Sequence, residues 1–522
     1  MVILWFRQDL RLEDNLALNY AAASKKPIIP IYIFDSKTEP ALGGASKWWL
    51  HHSLKSLDAQ LKGRLNLFFG DPKEILVDLV SKYYNGRGAD AELVSKSARD
   101  GRIIRDEVST NFITEIVWNR CYDPYSIRRD MGIKEYFKSL ALLQKDSNTR
   151  ENVTRENVVT KSFNSSLLLE PQQTLKEDNS NYKVFTSFYK KHYALGYSSG
   201  DKIRIPVKKS DNLNFLKIDS LTIDELNLLP KIEWYKKFDR LWSIGEDAAH
   251  NALDYFVENK LRDYKNLRNR PDLDHSSRLS PHLHFGEISP NTVWHRVSAI
   301  CARQGHDIDA NCFLSELVWR EFSYNLLYFF PDLPSKNLQK KFDNFPWESN
   351  LSSNYSPELF DKWKQGKTGY PIVDAGMREL WQTGFMHNRV RMITASFLVK
   401  HLLIDWRKGE RWFWDCLVDA DLANNSTSWQ WVAGSGADAA PYFRIFNPIL
   451  QGEKFDPEGS YTKKFVPELK NLPIKYLFSP WLAPKDLLNK LDIKIGRDYP
   501  EPIIDHNIAR TRALSAYHEM NK

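Results

Sequence analysis

The chain has 522 residues and a formal net charge of +7, too long for one ordinary core, so two domains of roughly 150 to 300 residues are expected. It has no run of about 18 uncharged apolar residues, and the opening MVILWFRQDLRL turns charged at Arg7 before a signal-peptide stretch develops; a soluble, unsecreted, cytoplasmic protein is expected. The four cysteines, Cys121, Cys301, Cys312 and Cys416, show no CxxC and no paired spacing, which speaks against a disulfide framework and against structural zinc.

The first part alternates short apolar runs, VILWF (2–6), PIIPIYIF (27–34), LNLFF (65–69) and EIVWN (115–119), with helix-like stretches such as SKWWLHHSLKSLDAQL. That alternation predicts an α/β domain with a parallel, Rossmann-like sheet over residues 1–168. It contains neither GxGxxG nor GxxxxGK[ST], so no local phosphate site is marked. Two polar stretches, 84–112 and 142–160, interrupt it; the second holds the tandem TRENVTRENV and reads as a solvated insertion. Residues 169–240 are mixed polar and Pro-containing, as suits a connector. From 241 to 522 the segments EDAAHNALDYFVENKL, NTVWHRVSAICARQG, CFLSELVWREFSYNLLYFF and MHNRVRMITASFLVKHLLIDW place apolar residues at i, i+3, i+4 and i+7, which predicts a larger all-α domain.

Charge leaves the partner open, because 73 basic against 66 acidic residues accept a polyanion without requiring one. The composition is notable for 17 Trp, mostly beyond residue 230. Indoles stack bases, bind ring cofactors and carry electrons, and equally fill cores. In SELVWREF, Glu316, Trp319 and Arg320 are spaced i, i+3, i+4 on one helix face, a polar and aromatic wall suited to a flat heterocycle, or else a partly exposed helix with an internal ion pair. In MHNRVRM, Asn388 and Met392 are i, i+4 neighbours, whereas Arg389 and Arg391 are about 200° apart in helical rotation, so one arginine faces outward while the other faces inward. Asp419 and Asp421 offer a close carboxylate pair, and Arg391 is the natural internal partner. HSSRLSPHLHF reads as a Ser/Arg turn entering a helix, an anion cradle; its His275, His282 and His284 do not converge on a metal.

Taken in order, WFRQDLRLEDN (5–15), SSRLSPHLHFGEISP (276–290), ELVWREF (316–322), GKTGYPIVDAGMREL (366–380), MHNRVRMITASFLVKHLLIDWRKGE (386–410) and WQWVAGSGADAAPYFRIFNPILQGEKFDPEG (429–459) closely resemble the photolyase/cryptochrome family, and within it the class I cyclobutane pyrimidine dimer photolyases. The resemblance implies a light-driven carbon–carbon lyase, a deoxyribodipyrimidine photo-lyase, acting on DNA and expected as a monomer. It implies FAD, active in its reduced anionic form, held by Tyr264, Ser276, Ser277, Arg278, Leu279, Ser280, Arg391, Asp419, Ala420, Asp421 and Asn425. Asn425 matches the residue facing flavin N5, where plant cryptochromes carry an aspartate. Glu316, Trp319, Asn388, Met392 and Trp431 match the walls of the dimer pocket, with Glu316 and Asn425 as the catalytic pair. Arg268, Arg320, Arg389, Arg444 and Gln451 match positions contacting DNA or the flipped lesion, and Trp429, Trp406 and Trp347 match a Trp chain for flavin photoreduction.

Related enzymes for (6-4) lesions place histidines where Asn388 and Met392 stand here, which favours the cyclobutane lesion. Asp123 resembles a position that can hold a folate antenna, although Glu is usual there; a folate, a deazaflavin or an empty antenna site is compatible with the sequence. A blue-light signalling protein of cryptochrome type is the alternative reading. Asn425, the intact pocket set and an end at IARTRALSAYHEMNK without a long tail favour repair.

Overall fold

The computed structural model describes residues 1–84, 112–143, 158–195, 203–211, 213–304, 307–347, 357–438 and 444–520. Most of the two polar stretches, and LSSNYS at 351–356, lie outside the described residues.

Strands β1 (Val2–Phe6), β2 (Ile28–Asp35), β3 (Asn66–Gly70), β4 (Glu115–Asn119) and β5 (Val159–Phe163) form one parallel sheet in the order β3-β2-β1-β4-β5. Side chains alternate across it. Val2, Leu4 and Phe6 face a cluster with Ala17 and Leu18 of α1 (Leu16–Ala23) and Trp48, Trp49 and Leu54 of α2 (Gly44–Gln60), whereas Ile3 and Trp5 face Leu76 of α3 (Pro72–Tyr84) and Phe137 of α4 (Pro124–Leu143). Both faces are thus covered, which is why the central strands read as unbroken apolar runs. β5 corrects the sequence expectation: residues 159 and 160 were assigned to the insertion, but they open an edge strand. An edge strand has one neighbour and little to bury, and VTKSF accordingly carries no apolar run.

The helical part contains α5 (Phe185–Tyr193), α6 (Glu246–Asn259), α7 (Tyr264–Leu267), α8 (Ser280–Phe285), α9 (Pro290–Gln304), α10 (Asp307–Phe329), α11 (Pro357–Lys364), α12 (Pro371–Thr383), α13 (Asn388–Ser396), α14 (Trp406–Cys416), α15 (Leu422–Ala433) and α16 (Pro448–Phe455), followed by shorter helices and a last one ending at Met520. None of the helices among the described residues is long and apolar enough to cross a membrane.

Residues 169–240 are packed along most of their described course. Phe215 bridges to Ile28 and Leu221 to Leu67, Phe238 is buried against α2, and Phe188 of α5 enters the core around α10. The two parts meet at the WFRQDLRLEDN motif. The buried Arg11 donates to the carbonyls of Gly286 and Ser165, and Gly286 is required there because its φ is +67° and a Cβ would stand 2.1 Å from the Gln8 carbonyl oxygen.

Candidate functional site

Three helix beginnings converge. α13 starts where the His387 side chain accepts from the Arg389 N–H, and α15 starts where Asp421 accepts from the Asn424 N–H. From α13, Arg391 turns inward and donates to both oxygens of Asp419, at 3.0 and 2.9 Å, and to the Met386 carbonyl. Ser280, opening α8, donates to Asp419 at 2.6 Å. Arg389 turns the other way, donating to Asn269 at 2.8 Å with its guanidinium 4.4 Å from the Phe455 ring centre. It has no carboxylate partner among the described residues. Burial, with the nearby Arg268 charge, pulls its pKa down. Opposite-facing arginines are what the helical spacing predicts.

The turn before α8 carries the other flavin candidates. Arg278 has a φ of +54°, unusual for a residue with a side chain, and its guanidinium lies 5.6 Å from Phe385, whose ring is also 5.2 Å from Arg391. Ser276 and Ser277 are half-buried and Leu279 is buried, its N–H weakly bound to the Ser277 hydroxyl at 3.4 Å. α8 spans six residues. The cradle therefore rests on hydroxyls and guanidinium more than on a helix dipole. Tyr264 is buried against Phe256 and Phe313, and burial raises its pKa. The three histidines diverge: His275 lies by the Arg262 carbonyl, His282 pairs with Glu287, and His284 contacts Asp421 at 3.4 Å.

Asp421 is buried, which alone would raise its pKa, but hydrogen bonding and charge from His284, with the Arg320 charge and the Tyr324 hydroxyl, hold it below the usual carboxylate range. Ala420 is buried between the two aspartates. One turn on, the Asn425 amide donates to the Glu410 carbonyl at 3.2 Å, and Ser426 donates to the Glu410 carboxyl. Burial pushes that carboxyl up to about 7. Glu410 was not singled out in the sequence; its spacing from Trp406 (i+4) and Phe413 (i−3), both buried, places it on an inward face.

The wall on α10 is partly as expected. Glu316 binds the Arg268 guanidinium, and Trp319 stacks on Phe185 of α5. Burial works against the Arg268 charge, but the Glu316 bond and charge raise its pKa overall. Arg320 departs from the expectation. Its side chain is 12% exposed, donates to the Ser166 carbonyl at 2.9 Å and lies 4.8 Å from the Tyr324 ring, so it ties the two parts of the chain together instead of facing a lesion. At about 100° per residue, Trp319 and Arg320 fall on opposite flanks of Glu316. Trp431 donates its indole N–H to the Asp438 carbonyl at 3.2 Å. Asn388 is exposed at the start of α13 and Met392 half-buried one turn later; Arg444 is exposed and Gln451 half-buried on α16.

Trp429 is buried so closely against α14 that a Cβ on Gly409 would stand 2.2 Å from its indole. Trp406 is fully buried and donates to Asn337 at 3.0 Å. Trp347 packs against the same cluster, its ring 4.3 Å from Phe345 and its buried N–H without an acceptor among the described residues.

A separate cavity of about 310 Å³ opens where β1 and β2 end, beside the crevice between β1 and β4 where strand order reverses. Trp5, Arg7, Tyr32, Asp35, Asp123 and Arg129 line it, with His284, Tyr324 and Asp421 from the helical side, so Asp421 borders this cavity as well. Asp123 accepts from the Ser126 N–H at 2.8 Å, so it caps α4 as well as lining the cavity.

The donor set suits a flavin dinucleotide. Asp419 and Arg391 pair an acceptor with a donor at the edge of the cradle, and the Ser276 to Ser280 turn offers hydroxyls and a guanidinium to a pyrophosphate. The family model described as the FAD binding domain of DNA photolyase matches residues 313–519, and the DNA photolyase model matches residues 2–87 and 84–206. A deoxyribodipyrimidine photo-lyase of Agrobacterium fabrum is 45% identical over 100% of this chain and 98% of its own length. Cryptochrome-1 of Arabidopsis thaliana is 33% identical over 99% of this chain and 70% of its own. A crystal structure described as a bacterial class III photolyase from Agrobacterium tumefaciens superposes with a TM-score of 0.85 at 44% identity, covering 100% of this chain and 97% of that one. With a parallel α/β part, a helical FAD-binding part and a photo-lyase relative matched over 98% of its length, the chain belongs to the DNA photolyase family and its cryptochrome relatives.

Proposed function

We propose that the protein repairs cyclobutane pyrimidine dimers in DNA with light, as a deoxyribodipyrimidine photo-lyase using fully reduced, anionic FAD. The observations that support this reading are Trp319 of α10 stacked on Phe185, the Glu316 carboxylate held by Arg268, Trp431 on α15, an Arg389 without a carboxylate partner among the described residues, and the Arg391, Asp419 and Ser280 cluster. When bound, the flavin supplies the electron that opens the cyclobutane ring and takes it back, so no net redox change results.

The chain's own residues do the rest. Arg391, Asp419, Asp421, Tyr264 and the 276–280 turn would hold the cofactor, and Asn425 would offer it an amide, which cannot deliver a carboxylic proton. The two indoles flank the flipped dimer, Glu316 and Asn388 meet its polar edges, and Met392 fills beside them. Arg389, Arg444 and Gln451 meet DNA, without Arg320. On this reading residues 1–168 form the antenna domain, 169–240 the connector and 241–522 the FAD- and DNA-binding catalytic domain. A second chromophore, a folate or a deazaflavin, would take the cavity at the strand ends. Trp429, Trp406 and Trp347 would relay electrons inward when the flavin is oxidised.

The cyclobutane lesion is favoured over the (6-4) lesion because Asn388 and Met392 stand at the positions matched to the wall, while the neighbouring His387 is turned inward as a helix cap and pushed down to about 4, first by burial and then by the Arg391 charge. The class I resemblance in the motifs stands against a class III relative at 44% identity, and class III is the subclass proposed. Replacing Trp431 or Trp319 by Ala tests the reading: affinity for dimer-containing DNA should fall by about tenfold or more while the flavin stays bound. Unchanged affinity in both would remove the indoles from the pocket.

A further inference from the structure

One face of Trp319 is already taken. The Phe185 ring, in the first turn of α5, lies parallel to the indole with ring centres 3.5 Å apart and planes within 6°. Such full overlap is electrostatically poorer than an offset or edge arrangement, so packing must impose it. Phe322 meets both rings edge-on at 5.9 Å, and the buried Phe188, one turn along α5, anchors the helix 5.2 Å from Phe322. The same segment also reaches the second indole. The Asp438 N–H donates to the Lys183 carbonyl at 3.1 Å, and its carbonyl accepts from the Trp431 indole.

We infer that Phe185 is a positioning residue of the lesion clamp: it closes one face of Trp319 and leaves the opposite face as the stacking platform, while the Lys183 carbonyl of the same segment holds Asp438 and through it Trp431. This rests on the assignment of Trp319 and Trp431 as the clamp. A flat side chain behind the indole removes rotamer freedom before the lesion arrives, so the dimer binds a platform already ordered. The residue comes from the connecting segment, outside every motif that carries the family resemblance.

The test compares FAD-loaded wild type, Phe185→Leu, Phe185→Tyr, Trp319→Ala and the Phe185→Leu/Trp319→Ala double variant, reading affinity for an oligonucleotide with one thymine dimer and for the same oligonucleotide undamaged. Leucine keeps the burial but loses the flat ring, so dimer affinity should fall about tenfold with undamaged affinity held, and tyrosine should restore the wild-type ratio. In the Trp319→Ala background the leucine replacement should cost nothing further, because its effect passes through that indole. An equal loss on both oligonucleotides, the same loss in both backgrounds, or wild-type dimer affinity in Phe185→Leu would overturn the inference. If Trp319→Ala alone bound the dimer as wild type does, the clamp assignment itself would fall. Flavin absorbance per chain reports folding, and Phe185→Met, equally flexible, is read in the same way if leucine is not tolerated.

Discussion

Arg391 on α13 holds Asp419, ahead of α15, by two charge-assisted hydrogen bonds of 3.0 and 2.9 Å, and Ser280 from a third element shares the same carboxylate. Pairing lets both charges sit where the carboxylate is nearly inaccessible. Asp419→Ala leaves the guanidinium without its counter-charge. Because Arg391 stays 25% exposed, the expected cost is below that of a fully buried pair, on the order of 2 kcal/mol, with loss of most bound flavin. Flavin absorbance per chain after gel filtration checks it; full retention would move the cradle elsewhere.

Arg389 offers the complementary case, a cation without an acid among the described residues. Arg389→Ala should weaken DNA binding and reduce the slope of log affinity against log salt by about 0.9, the share of one phosphate contact. Titrations at several salt concentrations read that slope directly. An unaltered slope would mean that Arg389 meets no phosphate.

Trp406 is fully buried, and phenylalanine preserves most of its volume while removing the easily oxidised indole and its bond to Asn337. Trp406→Phe should stop photoreduction of the oxidised flavin but leave repair intact when the flavin is reduced chemically. Loss of both activities would show that the residue is structural and not a relay.

Glu410 gives a pH dependence of defined sign. Its folded pKa, about 7, lies above its ordinary 4.5, so between those values the native state holds a proton that the unfolded chain releases. Its contribution is full below about 4.5 and is lost as pH rises through 7. Relative to Glu410→Gln, which stays neutral, the wild type should lose on the order of 3 kcal/mol between about pH 5 and about pH 8. Urea midpoints at both pH values read this difference; parallel curves would place the carboxyl in water.

What could be read in the sequence follows from what local spacing encodes. Central strands covered on both faces showed as apolar runs, and the two arginines of α13 separated because helical rotation separates them. β5 was missed because an edge strand buries little, and Phe185 because a nine-residue helix in a polar segment shows too few turns of periodicity. Arg320 was misplaced because a spacing of i+3 and i+4 defines a face about 100° wide, and its two margins here look toward different neighbours. Glu410 lay hidden in the charged string WRKGERW, although the large residues on either side of it point inward.

The central claim is that light and reduced flavin in this pocket split pyrimidine dimers. Its most direct measurement is the count of thymine dimers in an irradiated oligonucleotide incubated with the flavin-reduced protein under blue light and, in parallel, in darkness. Dimers should disappear catalytically in the light and persist in the dark; persistence under both conditions, with flavin bound and the DNA engaged, would contradict the account.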